Sequence, residues 1–280
     1  MNGGPAAVAL IGDPVAQSVS PEMQRAAFAA LGLDLDYVAV RVPLDELPAI
    51  WPRLAASFRG LNVTRPLKQA VIPYLDGLSE EARRARSVNT VRFVQGRAEG
   101  HSTDGAGFLA ALRRAGVGRV GRALVLGTGG AARAVVAALR SEGTVVRVSG
   151  RNRRAGQRLA NELGARYVPP ETRALSTAVA MADLLVNATP VGSWPDVAAS
   201  PLPDSVQLHP GLTVFDLVYR PRRTALLDRA ARAGCRTVGG IEMLVEQGAR
   251  SFELWTGLSA PVEIMREAAL RALRSEGGRP

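Results

Sequence analysis

Three stretches of the chain bring residue types that can do chemistry close together. In Gly60-Leu-Asn62-Val-Thr64-Arg-Pro66-Leu-Lys68 a brief apolar run delivers polar side chains at a strand end and then the only lysine of the sequence. An ε-ammonium can exchange its proton, whereas a guanidinium stays charged. In Ser102-Thr-Asp104 a carboxylate precedes a helical pattern, where it can pair with that lysine or cap the helix. Paired with Lys68, it would orient the amine and also stabilise the ammonium, two effects that oppose each other. In Gly127-Thr128-Gly129-Gly130-Ala131-Ala132 the glycines stand between an apolar run, Ala123–Leu126, and a helical one reaching about Arg140. Such a turn lets a dinucleotide pyrophosphate approach backbone N–H groups at a helix N-terminus.

The end of the following strand, Thr144–Ser149, selects between dinucleotides. Asp or Glu there would bind ribose hydroxyls. The chain has Arg151-Asn152-Arg153-Arg154 instead, and a guanidinium can clamp a 2′-phosphate and stack on adenine. The expected cofactor is therefore NADP, with Gly127, Thr128, Gly129, Gly130 and Ala131 at the turn and Arg151, Asn152 and Arg153 beyond the second strand.

Composition gives the lysine its context. The chain carries 35 basic residues against 25 acidic ones, a net charge of +10, and all but one of the basic residues are arginine. A plain surface cation is thus supplied by arginine throughout, and Lys68 stands out as a proton-exchanging exception. The arginines are dispersed and only 5% of residues are aromatic, which argues against a nucleic-acid partner. An apolar fraction of 47% excludes a disordered or fibrous protein. One cysteine and two histidines leave no metal site of the Cys or His type and suit a reducing compartment. There is no apolar run of about 18 residues, and Met1–Ala7 lacks the layout of a signal peptide. A cytoplasmic protein with no membrane partner is expected.

Positioning these groups requires alternating strands and helices, an α/β pattern. Val8–Gly12, Tyr37–Val42, Gly60–Thr64, Ala182–Ala188 and Thr213–Val218 read as further strands. A helix opens at Ser20-Pro21, with Ser20 as N-cap, and closes at Gly32. Others are expected over Leu67–Leu75, Ser79–Arg86, Gly105–Ala115, Thr224–Ala233, Ile241–Thr256 and Pro261–Arg274. Gln95-Gly96 joins Val88–Val94 to the next run as a hairpin, which His101 would cap. Trp51, Trp194 and Trp255 read as packing or loop residues, and Cys235 as a small buried hydrophobe.

Read together, these motifs resemble the shikimate dehydrogenase family over about Ile11 to Trp255. The resemblance rests on Ser18-Val-Ser20-Pro21, Asn62-Val-Thr64-x-Pro66-x-Lys68, Val88-Asn89-Thr90, Thr103-Asp104-Gly105, the glycine turn, Asn187-Ala-Thr189, Val218-Tyr219-Arg-Pro221 and Gly240-Ile-Glu-Met243-Leu-Val-Glu-Gln247. It implies NADP-linked interconversion of 3-dehydroshikimate and shikimate, a step of aromatic amino acid biosynthesis. It also implies a catalytic pair, Lys68 and Asp104. Ser18, Ser20, Thr64, Asn89, Asp104, Tyr219 and Gln247 would hold the substrate. Arg151 would recognise the 2′-phosphate, with Thr189, Gly240 and Met243 on the cofactor as well. The expected architecture is an α/β substrate domain, 1–105 plus 240–280, and a Rossmann-type doubly wound parallel-sheet NADP domain, 106–239, flanking a cleft. The active species would be a monomer or homodimer.

The chain departs from the family pattern at Gln17, Gln24, Arg25 and Ser102, and has Gly150-Arg151-Asn152 where Asn-Arg-Thr is usual. These departures leave room for a quinate/shikimate dehydrogenase or a paralogue with another polyol-acid or cofactor preference. A catalytically idle relative and a basic nucleic-acid binder are the rivals from other classes. The intact Lys68–Asp104 pair opposes the former.

Overall fold

The computed structural model describes residues 6–276, and the chain divides into two compact units, 1–107 with 245–280 and 108–244. In the first unit the order is β1 (Ala7–Gly12), α1 (Ser20–Ala30), β2 (Asp36–Arg41), α2 (Leu47–Ser57), β3 (Gly60–Val63), α3 (Leu67–Ala70), β4 (Gly77–Leu78), α4 (Glu80–Ala85), β5 (Thr90–Val94) and β6 (Arg97–His101). They build a six-stranded sheet in the order β2-β1-β3-β5-β6-β4. β1 runs parallel to β2 and β3, whereas β5 is antiparallel to both β3 and β6. The apolar strands β1 and β3 lie inside, with Ala9, Ile11, Leu61 and Val63 packed on Leu47, Leu54 and Leu67. The hairpin between β5 and β6 turns at Gln95 and Gly96, both with positive φ (51° and 77°), as a two-residue primed turn requires.

α5 (Asp104–Arg114) begins in the first unit and continues into the second. There follow β7 (Arg122–Leu126), α6 (Gly130–Ser141), β8 (Val145–Ser149), α7 (Arg153–Leu163), β9 (Arg166–Val168), α8 (Thr172–Ala180), β10 (Leu184–Asn187), β11 (Thr213–Asp216), α9 (Ala225–Arg232) and β12 (Arg236–Gly239). All six strands are parallel, in the order β9-β8-β7-β10-β11-β12. This is the doubly wound dinucleotide-fold order, with the reversal between β7 and β10. Alternate residues of β7 serve opposite faces. Ala123 and Val125 pack with Val135 and Leu139, while Leu124 and Leu126 pack with Leu175 and Leu226. α10 (Gly240–Thr256) returns the chain to the first unit, where α11 (Val262–Glu276) packs along α1.

Several local expectations change. Ser20 is not the N-cap of α1. Val19 holds that position, and the Ser20 amide donates to Ser18 Oγ at 3.2 Å. Pro21, in the first turn, has no N–H that would need a partner. The helix expected over Leu67–Leu75 breaks after Ala70 into a 3-10 turn, Ile72–Tyr74, around Pro73. α2 was hidden by its own prolines, Pro48 in its first turn and Pro52 within it. His101 does not cap the hairpin. It ends β6 opposite Thr90, its Nε2 buried without a hydrogen-bond partner, and burial holds its imidazole below the ordinary value of 6.5.

Candidate functional site

In the first unit the chain leaves β3, turns at Thr64, whose amide donates to Ile11 O, and enters α3 with Lys68. The Lys68 carbonyl accepts the Val88 amide at 2.8 Å, which fastens the backbone of the lysine to the residue before Asn89. Lys68 Nζ donates to Asp104 Oδ2, and the two side chains are 16% and 4% exposed. Asp104 opens α5, where a negative charge complements the helix dipole. Its second oxygen, Oδ1, accepts Asn89 Nδ2 at 3.0 Å, so the carboxylate is held at both ends. Among the described residues the remaining two donors of Lys68 have no protein partner, so an oxygen ligand can take them.

Asn89 ties the site together. Its Oδ1 accepts the Thr103 amide at 2.7 Å, and its Nδ2 also faces Thr103 Oγ1 at 2.7 Å and Gln247 Oε1 at 3.0 Å. Gln247, on α10, thus reaches the same carboxamide as Asp104 across a separation of 158 residues. Ser18 and Ser20 lie beyond β1 in this unit, joined by their amide–hydroxyl bond. Asn62 does not emerge at the strand end as expected. It lies inside the sheet, 6% exposed, and its carboxamide is committed to other side chains. Thr103, quoted above only as a neighbour of Asp104, and Ser251, which carried no sequence signal, belong to this cluster. Thr103 adjoins Asp104, and Ser251 follows Gln247 at the i,i+4 spacing that shares a helix face. Tyr219 belongs to the second unit, half-buried after β11.

The second unit supplies the turn at the end of β7. Gly127 has φ of +120°, and a Cβ there would stand 2.9 Å from Ala188 O, so only glycine fits. Gly129 is the N-cap of α6 with no side chain capping the helix, and a Cβ there would meet nothing within 4 Å. An open glycine surface before uncapped amides is what a pyrophosphate needs, and Thr128, Gly130 and Ala131 share this turn. Past β8, Arg151, Arg153 and Arg154 are all exposed, and Asn152 Oδ1 caps α7 by accepting the Ala155 amide at 3.0 Å. Asn152 therefore fixes the turn that presents the guanidinium groups.

Thr189 follows β10. Its hydroxyl donates to Asn187 Oδ1 at 2.6 Å and accepts the Val191 amide. Asn187 Nδ2 in turn donates to Asp216 Oδ1 at 2.8 Å. Asp216 is fully buried, and burial pushes its carboxyl above the usual range against the hydrogen bonds from Thr224, the Val218 amide and Asn187. Gly240 opens α10, and Met243 is buried in the core with Phe108 and Phe215. Trp194 is exposed, with the Arg220 guanidinium 6.0 Å from its ring centroid. Among the described residues no cluster of His, Cys, Asp or Glu could hold a metal ion, and no helix is long and apolar enough to cross a membrane.

Gly150, just before Arg151, packs against the glycine turn. A Cβ at Gly150 would lie 2.7 Å from Thr128 Cγ2, so the threonine methyl occupies the space that a side chain at 150 would take. Gly150→Asn alone should cost about 1–3 kcal/mol of stability by overpacking and weaken NADPH binding. Adding Thr128→Ala should restore both, as read by thermal melting and NADPH titration. Additive losses in the double variant would show that the two positions do not share that space.

A parallel sheet in dinucleotide-fold order with an open glycine turn, and an amine–carboxylate pair in the same chain, define a dinucleotide-dependent oxidoreductase. Family models match at both ends: the shikimate dehydrogenase substrate binding domain over residues 10–91 and the shikimate 5′-dehydrogenase C-terminal domain over residues 240–270. The chain belongs to the shikimate dehydrogenase family. It is 46% identical to the shikimate dehydrogenase (NADP(+)) of Methanopyrus kandleri over 277 residues, covering 95% of this chain and 96% of that protein. It is 43% identical to that of Moorella thermoacetica over 282 residues, with coverage of 98% and 95%. A crystal structure of shikimate 5-dehydrogenase from Thermus thermophilus in complex with NADP(H) and shikimate matches with a TM-score of 0.88 at 45% identity, covering 95% of this chain and 99% of that one.

Proposed function

We propose that the chain catalyses the reversible NADP-dependent reduction of 3-dehydroshikimate to shikimate, with Lys68 as acid and base. The observation that carries this reading is the Lys68–Asp104 pair, whose carboxylate is held from its other side by Asn89. NADP, when bound, supplies or takes up the hydride at nicotinamide C4. In the reducing direction the Lys68 ammonium gives a proton to the substrate oxygen as the C–H bond forms at the former carbonyl carbon. In the oxidising direction the amine takes the hydroxyl proton as that bond breaks. Asp104 orients the amine, and Asn89 holds the carboxylate so that its free lone pairs face the substrate hydroxyl.

Ser18, Ser20, Thr64, Asn89 and Gln247 of the first unit, with Tyr219, hold the substrate carboxylate and hydroxyls. The second unit binds NADP through the Gly127–Ala131 turn and recognises its 2′-phosphate through Arg151 and Arg153, with Thr189, Gly240 and Met243 shaping the nicotinamide end. The active species is a monomer or homodimer, and a single free, buried cysteine suits a cytoplasmic setting. Steady-state assays of shikimate and quinate with NADP and NAD test the reading. The highest kcat/KM is expected for shikimate with NADP. Preference for quinate would give the broader-specificity enzyme, preference for NAD would refute the arginine assignment, and no turnover at all would leave an idle relative.

A further inference from the structure

Behind the lysine–carboxylate pair runs a sealed chain of polar side chains that the proposed reaction does not use. It begins at Tyr37 on β2, fully buried, whose hydroxyl donates to Asn62 Oδ1 at 2.7 Å. The Asn89 carbonyl can only accept, so its bond from Asn62 Nδ2 fixes which way Asn62 points and leaves Oδ1 to the Tyr37 hydroxyl. Asn62 Nδ2 faces Asn89 O at 3.1 Å, Thr90 Oγ1 at 3.2 Å and Ser251 Oγ at 3.1 Å. Ser251, fully buried on α10, lies 2.7 Å from Thr90 Oγ1 and 3.3 Å from Thr103 Oγ1, and also reaches Gln247 O at 3.1 Å. Thr103 Oγ1 and Thr90 Oγ1 both meet the Asn89 carboxamide.

At the site end the orientation of Asn89 is set by its own partners. Were Asn89 to flip, its nitrogen would face the Thr103 amide, and its oxygen would face Asp104 Oδ1 and Gln247 Oε1. That arrangement pairs donors with donors and acceptors with acceptors. The Asn62–Ser251 cluster anchors both the Asn89 carbonyl and the Gln247 turn of α10, the two backbone groups from which the site carboxamides project. Buried networks of this kind either hold every member or leave a costly unpaired group.

We infer that Tyr37 and Ser251 are positioning residues for substrate binding: acting through Asn62, they set the placement of Asn89 and Gln247 without touching substrate. The inference rests on the proposed substrate role of those two side chains. Tyr37→Phe keeps the ring against Trp255, 6.2 Å away between centroids, and Ser251→Ala keeps the helix.

The test is steady-state kinetics of the two single variants and the double variant, well below their melting temperatures. Each single variant should raise KM for shikimate on the order of 3- to 10-fold, the equivalent of one buried hydrogen bond. KM for NADP should stay within error, and kcat should change less than KM. The double variant should be no worse than the poorer single, because both changes disable one chain. Unchanged KM in folded single variants would overturn the inference. So would effects that multiply in the double variant, or equal losses for substrate and cofactor. If Tyr37→Phe does not fold, Ser251→Ala alone decides by the shift in KM for shikimate relative to that for NADP. Wild-type turnover is the control: its absence would sink the functional reading, whereas turnover with unmoved KM would sink only this inference.

Discussion

Lys68→Arg should leave a folded protein with its cation beside Asp104 and lower kcat for shikimate on the order of 10²- to 10⁴-fold, the usual contribution of a positioned proton donor. The substitution is informative because charge and hydrogen bonding are retained. A guanidinium can donate to Asp104 Oδ2 as the ammonium does, and it can still donate to a substrate oxygen. What it cannot do is give up a proton at neutral pH. Loss of turnover with little change in KM for NADP would therefore isolate proton transfer from electrostatic placement. Near-normal turnover in the variant would remove the proton-transfer role and leave Lys68 as an electrostatic anchor.

Arg151→Ser should lower kcat/KM for NADP by about 10- to 100-fold, the range expected for losing hydrogen bonds to a charged group, while NAD efficiency stays nearly constant. The expected asymmetry follows from what distinguishes the two dinucleotides: a phosphate on the adenosine ribose and nothing at the reacting ring. Arg151 is the first exposed cation after β8, and Asn152, by capping α7, keeps Arg153 and Arg154 in the first turn beside it. Side-by-side assays with both cofactors check the prediction. Equal losses with both would mean that Arg151 serves the turn and not the phosphate, and no loss with either would move recognition to its neighbours.

Legibility in the sequence depended on whether the decisive forces were local. The β7–α6 turn and the β5–β6 hairpin could be read directly, because positive φ at Gly127 and Gly96 is a demand that glycine itself advertises. α2 could not, since Pro48 and Pro52 argue against a helix that packing of Leu47 and Leu54 nevertheless secures. Past β8 the run of arginines suggested ligand binding, and Asn152 within it begins the N-terminal turn of α7. At the site, Lys68 and Asp104 stood out by residue type, and their contact crosses only 36 positions. The bond from Asn89 to Gln247 could be expected only through resemblance to the family, because no spacing rule links residues so far apart. Tyr37 carried no signal at all. A tyrosine in an apolar strand reads as packing, and its hydroxyl acquires meaning only once the sheet brings Asn62 opposite.

The ion pair at the head of α3 has a practical consequence for chemical labelling. Lys68 carries the only side-chain amine in the protein, and that amine is mostly enclosed and engaged with Asp104. An amine-selective acylating reagent therefore has a single side-chain amine to find, and must separate it from its carboxylate before reacting. The rate at which one peptide gains mass becomes a gauge of whether anything is seated against that amine. Ligand occupancy can in this way be followed in the intact enzyme with no turnover.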